Sequence, residues 1–256
     1  MATLSINGAE VSFTDQGSGD GVVLVHGFAA SAQENWVKAG WVAMLTRANR
    51  RVVTIDLLGH GQSSKPHDPA AYTLSGMADD VLAVVEHLQI KKPDLIGFSL
   101  GARVVLDLLT RHSNRFLLGV LCGVGDLLLK PRDEKEQFVL ADAFDAANGD
   151  DLPGGLAKQF RQFAEGQQQD LKALSACLRG MLAGRIELTK ESLQQIRNEM
   201  LVVSGTGDEL AGSAAGLAAM LGNAKGKQIP GCGHMDCLTQ PMFKGAVMDF
   251  LAGVPD

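Results

Sequence analysis

Cysteine is scarce. Cys122, Cys177, Cys232 and Cys237 are the only four in 256 residues, which excludes a scaffold built on disulfides. Aromatic residues are few, at 5%, and aliphatic side chains with alanine make up most of the apolar fraction. Positive charge is not in excess. The formal net charge of −6 argues against general nucleic-acid binding, which needs a basic face. The short basic clusters Arg47/Arg50/Arg51 and Lys91/Lys92 sit beside expected strands and read as solvated element ends. No apolar run approaches the length of a membrane span. The opening MATLSINGAEV has neither a basic region nor an apolar stretch, so no secretory signal is expected. A cytoplasmic location with reduced thiols follows as the expectation. No internal repeat is visible.

What is present is an alternation of two periodicities. Segments 3–6 and 10–14 read as a hairpin turning at Asn7-Gly8. Apolar β-branched runs at 21–25, 51–56, 94–98, 116–123, 200–205 and 227–230 read as strands. Between them, 76–90, 99–111 and 242–251 carry apolar stripes at helical spacing. This predicts an α/β chain with a mostly parallel central sheet flanked by helices. The stretch 127–197 differs. It is richer in Gln, Asp, Glu and Lys, and holds helical patterns with narrow apolar faces, such as Phe138/Ala141/Phe144 and Leu156/Phe160/Phe163, but no strand pattern. We read it as a small helical cap inserted into a core of 1–126 and 198–256.

The chemistry-bearing residues fall where strands end. Gly97-Phe98-Ser99-Leu100-Gly101 follows a strand and opens a helix. A serine on such a turn has its hydroxyl exposed, and the new helix aims N–H groups at a developing oxyanion. His26-Gly27-Phe28 ends an earlier strand, so the Phe28 N–H can join that of Leu100. The His26 side chain is expected to organise its own loop, and Asp56 to cap backbone N–H groups. His60, between two glycines, is expected to be exposed. Near the C-terminus, Gly205-Thr206-Gly207-Asp208 and Gly231-Cys232-Gly233-His234 close two further strands. A serine hydroxyl needs an imidazole to take its proton, and the imidazole needs a carboxylate to fix its tautomer. Ser99, His234 and Asp208 supply these in the chain order of a nucleophile elbow. Asp126 is the rival acid, and Glu209 is read as a helix N-terminal carboxylate. Cys232, His234 and Cys237 form a short C-x-H-x-x-C pattern. Packed thiols are the preferred reading over a metal, since a fourth ligand is missing from the pattern.

Taken together, HGF at 26–28, DLLGHGQSS at 56–64, GFSLG at 97–101, GTGD at 205–208 and GCGH at 231–234 resemble the α/β-hydrolase superfamily over nearly the whole chain. The resemblance implies Ser99 as nucleophile, Asp208 as acid, His234 as base, Phe28 and Leu100 as oxyanion-hole residues, and 127–197 as the variable lid. It implies no cofactor. A serine nucleophile separates the chain from the epoxide-hydrolase and haloalkane-dehalogenase branches. Arg103 is similar to an arginine of the menaquinone-pathway synthase, although surface packing is the preferred explanation for it. The expected activity is that of a carboxylesterase on small to medium, partly apolar esters. A C–C hydrolase or lyase with the same triad, and a slow ligand receptor, are the alternatives.

Overall fold

The computed structural model describes residues 1–130, 134–183 and 189–254. Eight strands form one sheet: β1 (Ala2–Ile6), β2 (Ala9–Gln16), β3 (Asp20–Val25), β4 (Arg50–Ile55), β5 (Asp94–Phe98), β6 (Leu118–Cys122), β7 (Glu199–Gly205) and β8 (Ala224–Ile229). Their spatial order is β1-β2-β4-β3-β5-β6-β7-β8. The strands β1 and β2 run antiparallel, and β3 to β8 pair in parallel. Asn7 and Gly8 both have positive φ, 51° and 84°, as a tight hairpin turn needs.

Side chains of β3 alternate between two cores because strand neighbours point to opposite faces. Val23 and Val25 pack with Leu95, Val104 and Val202 on one face. Val22 and Leu24 pack with Trp41, Ile96 and Phe243 on the other. A strand buried on both sides must be apolar throughout, which is why these runs show no alternation in sequence. Helices α1 (Trp41–Arg47), α2 (Leu74–His87) and α3 (Leu100–His112) follow the early strands. Between β6 and β7 lie α4 (Glu134–Asp145), α5 (Leu156–Gly166), α6 (Leu171–Ala183) and α7 (Lys190–Gln194), with no strand among the described residues there. Helices α8 (Ala214–Ala218) and α9 (Pro241–Leu251) complete the chain. Within the expected cap at 127–197, residues 131–133 and 184–188 lie outside the described residues. No helix among the described residues is long and apolar enough to cross a membrane.

Three expectations shift in detail. β8 starts earlier than the predicted 227–230, because AKGKQ lies mostly exposed at the sheet edge and carries no apolar signal. A wide helical turn at Gln33–Lys38 and helix α1 were not predicted. Glu209 lies exposed in a turn, since α8 begins only at Ala214 with Ser213 as its N-cap.

The interval between β6 and β7 builds a small core of its own. Phe144, Ala164 and Leu174 are buried together with Ala29, and Phe28, Phe160 and Phe163 pack against them. Two of these residues, Phe28 and Ala29, come from the loop after β3. The helices therefore close over the carboxyl edge of the sheet.

Candidate active site

Ser99 stands between β5 and α3 with φ 52° and ψ −107°. Non-glycine residues rarely hold a positive φ, and such strain persists only where the surroundings impose it. Here the Ser99 N–H donates to Cys122 O at 2.9 Å, tying the turn to the end of β6. A Cβ on Gly97 would overlap the Gly101 backbone, and one on Gly101 would overlap the carbonyls of Val25 and His26. Glycine at both positions lets α3 start in backbone contact with the end of β3. That approach puts the loop of Phe28 beside the first turn of α3, where the leading N–H groups have no intrahelical acceptor. Phe28, Ser99, Leu100 and His234 line one cavity.

The two C-terminal loops are zipped to each other. Thr206 N–H donates to Ile229 O at 2.9 Å and Gly207 N–H to Cys232 O at 3.0 Å. This pairing carries His234 onto Asp208. His234 Nδ1 lies 2.9 and 3.0 Å from the Asp208 oxygens, and its Nε2 lies 3.0 Å from Ser99 Oγ. The Asp208 carboxylate only accepts. Nδ1 therefore donates, and Nε2 is left to accept the serine proton. Asp208 is held further by the N–H groups of Leu210 and Ala211, at 3.1 and 3.0 Å. Its side chain is fully shielded from solvent, and that of His234 is 9% exposed. The His234 ring lies tilted over Phe98, with centroids 5.0 Å apart.

The rival acid goes elsewhere. Asp126 accepts from the Ser213 N–H at 2.8 Å, and so braces the segment that follows Asp208. His26 is wholly buried. Its Nδ1 donates to Gly27 O at 2.7 Å and its Nε2 accepts from Leu57 N–H at 3.0 Å. Burial lowers the His26 pKa below its ordinary value. Asp56 accepts from Ala32 N–H and Gln62 N–H, both at 2.8 Å, the capping role expected of it.

His60 overturns its expectation. It is wholly buried, its ring 5.2 Å from His26 and 5.6 Å from Phe28. Gly59, at φ +83°, lets the chain turn inward against the Tyr72 ring. Burial, reinforced by His26, pushes the His60 pKa down to about 3. Arg103 is half-buried and contributes to the wall of the Ser99 cavity, so surface packing does not describe it. Asn35 was missed by the sequence reading. Its Oδ1 accepts the Gly27 N–H at 2.9 Å, and nothing in a lone asparagine inside an unpredicted helical turn signals that contact.

Cys122, Cys232 and Cys237 are buried free thiols near the site. Burial raises the pKa of each, which favours the neutral, unreactive thiol. Among the described residues, no group of three or more His, Cys, Asp or Glu side chains is placed to hold a metal ion.

Residues 22–242 match the profile of the alpha/beta hydrolase family. This chain belongs to the alpha/beta hydrolase family. The hydrolase is 25% identical, over 99% of its length and 100% of the relative's, to a protein of Bacillus subtilis (strain 168) named provisionally as a 2-succinyl-6-hydroxy-2,4-cyclohexadiene-1-carboxylate synthase. It is 24% identical to the 2-hydroxymuconate semialdehyde hydrolase of Pseudomonas sp. (strain CF600), covering 96% of this chain and 91% of that one. Among solved structures, a thermophilic esterase from Thermogutta terrifontis superposes with a TM-score of 0.81 at 22% identity, over 99% of this chain and 98% of that one. That likeness shows the α/β-hydrolase fold and no more.

Proposed function

We propose that this hydrolase is a carboxylesterase working through an acyl-enzyme on Ser99. The observation that carries the reading is the continuous hydrogen-bonded line from Asp208 through His234 to Ser99 Oγ. Ser99 Oγ attacks the ester carbonyl while His234 Nε2 takes its proton. The tetrahedral oxyanion is held by the Phe28 and Leu100 N–H groups, each worth about 10²–10³ in rate. The C–O bond then breaks, and the leaving alkoxide takes the proton from His234. Water, deprotonated by the same imidazole, attacks the acyl carbon and returns Ser99 to its starting state. Asp208 keeps the imidazole in the Nδ1–H tautomer and stabilises its cation. No cofactor enters these steps.

Residues 127–197 serve as the cap in this reading, since Phe160 and Leu178 from α5 and α6 line the Ser99 cavity. The apolar lining suits small to medium, partly apolar esters. The test is Ser99→Ala, which is expected to abolish labelling by a fluorophosphonate probe and turnover of p-nitrophenyl acyl esters. Unchanged turnover would overturn the reading.

One observation favours a second reading. Arg103 places a cation in the wall beside Ser99, where an anionic group on a dicarbonyl or succinyl substrate could pair with it. The relatives named as a C–C hydrolase and as a synthase point the same way. Product analysis with dicarbonyl and succinyl substrates separates this C–C hydrolase or lyase from an esterase.

A further inference from the structure

Two cavities meet at Ser99, and their walls differ in chemistry. One, of about 130 Å³, passes Leu100 and Val124 beneath Leu140, Leu156, Leu178 and Met181. The other, of about 100 Å³, passes Met235 and Leu238 to Glu34, Asn35 and Thr239. Phe28, Ser99, Phe160 and His234 line both. A substrate held at Ser99 therefore has room on two sides of the reacting carbonyl.

The direction of proton flow tells the arms apart. In ester cleavage the proton carried by His234 must reach the leaving oxygen. His234 lines both cavities, but the rest of its loop, Met235, Leu238 and Thr239, walls only the smaller one, and the leaving group is assigned to that side. The acyl chain occupies the leucine-rich cavity that starts at Leu100.

The smaller cavity is also lined by polar groups, Glu34, Asn35 and Thr239. The Glu34 side chain is 23% exposed, and Lys38, 57% exposed, holds its Oε2 at 2.6 Å. Asn35 commits its Oδ1 to the Gly27 N–H, which leaves its Nδ2 donor for the cavity. Phe98 and Phe163 complete the wall. An exposed ion pair such as Glu34–Lys38 contributes little and is screened, so the carboxylate remains open to a competing donor.

We propose that the smaller cavity is a leaving-group site, and that Glu34 with Asn35 makes it select alcohols carrying a hydroxyl or ammonium group. This rests on the esterase reading. Glu34 is then a specificity residue: it acts on the head of the leaving alcohol and not on the bond that breaks.

Three esters sharing one acyl group test the assignment: 2-hydroxyethyl, choline and 3,3-dimethylbutyl, the last an uncharged isostere of choline. The wild-type enzyme is expected to favour at least one polar-headed ester over the dimethylbutyl ester by about tenfold in kcat/KM, as a hydrogen bond to a charged group allows. Preference for choline alone identifies an ammonium head, and preference for hydroxyethyl alone a neutral one. Glu34→Gln is expected to lower the ratio of the favoured ester to the dimethylbutyl ester about tenfold, mainly through KM. Lys38→Met is expected to raise the choline ratio a few-fold. A wild-type preference for the dimethylbutyl ester, or a Glu34→Gln ratio changed less than about twofold, overturns the proposal. So does hydrolysis of the matching p-nitrophenyl ester with none of the three turned over. Fluorophosphonate labelling of Ser99 is measured alongside. Its absence defeats the esterase reading itself, while labelling with a failed ester panel defeats only the leaving-group assignment.

Discussion

The strand-end loops and the helices over them are held by different forces. Around Ser99, His234 and Asp208 the ties are backbone to backbone: Ser99 N–H to Cys122 O, Gly123 N–H to Val203 O, Gly207 N–H to Cys232 O. Glycines let these chains touch. Between β6 and β7 the ties are side chains. Arg161 is buried and donates to the carbonyls of Ala143, Phe144 and Ala146. Arg179 pairs with Asp142 and Asp145 at 2.5 and 2.7 Å across α4 and α6. Toward the rest of the protein, Gln169 Oε1 accepts from Gly61 N–H at 3.2 Å, and Asp170 pairs with His67 at 3.0 Å. Backbone contacts fix positions whatever the side chains do. Side-chain contacts can change with a few substitutions. The proposed chemistry therefore sits on the backbone-tied frame, and the wall of the leucine-rich cavity partly on the adjustable helices.

Substitutions can break this contrast, and the largest effect belongs to the frame. Ser99→Ala is expected to lower kcat/KM on a p-nitrophenyl ester by about 10⁴-fold or more, with the thermal midpoint unchanged or raised because the strained turn loses no backbone contact. Next comes the acid. Asp208→Asn is expected to cost about 10²–10⁴ in kcat, since an amide cannot hold the imidazole in the required tautomer. Asp126→Asn is expected to cost less than about tenfold, because Asp126 acts on the loop and not on the ring. The reverse order in a side-by-side kcat measurement would reassign the acid.

The proposed cap gives a smaller effect of another kind. Arg161→Met leaves two buried carbonyls and one partly buried one without their donor, a loss of about 1–3 kcal/mol for each buried group left unpaired. The expected result is a KM raised about tenfold and faster hydrogen exchange in α4 and α5, with Ser99 still labelled by a fluorophosphonate. A loss of labelling equal to that of Asp208→Asn would erase the distinction between frame and cap.

The smallest effect lies far from both. Burial, aided by Asp79, holds the Asp80 carboxyl up at about 6, against an ordinary value of 3.8. The folded protein thus binds this proton more readily than the unfolded chain. The stability it brings is complete below pH 3.8 and is lost as the pH rises through about 6. Asp80→Asn is expected to stabilise the protein by about 1–3 kcal/mol at pH 7 and by almost nothing at pH 3.5, without changing kcat. Urea denaturation at the two pH values checks this.

Much of the fold was legible because the signals were local. The runs at 21–25 and 94–98 became β3 and β5, and the stripe at 76–90 became α2, which stops sooner, at His87, with Gln89 at positive φ. The elbow glycines announced a close approach, and the structure supplies its partners in the backbone of Val25 and His26 for Gly101 and of Gly101 and Ala102 for Gly97. The misreadings came where burial depends on distant chain. His60 between glycines resembles an exposed turn until Tyr72, His26 and Phe28 enclose it. Asn35 has no local mark, because its partner Gly27 lies on another element. Arg103 on an apolar helix resembles a surface side chain until α5 and α6 arrive over it.

Sequence alone determined which residues could do chemistry: a serine where a strand becomes a helix, and a carboxylate and an imidazole each at the end of a later strand. Periodicity and turn residues are properties of neighbours in the chain, so they survive without coordinates. Only the tertiary structure decided that His234 faces Asp208 and not Asp126, and that Glu34 and Arg103 line two different cavities beside Ser99. Those outcomes depend on contacts between segments far apart in sequence, whose distances no local pattern encodes.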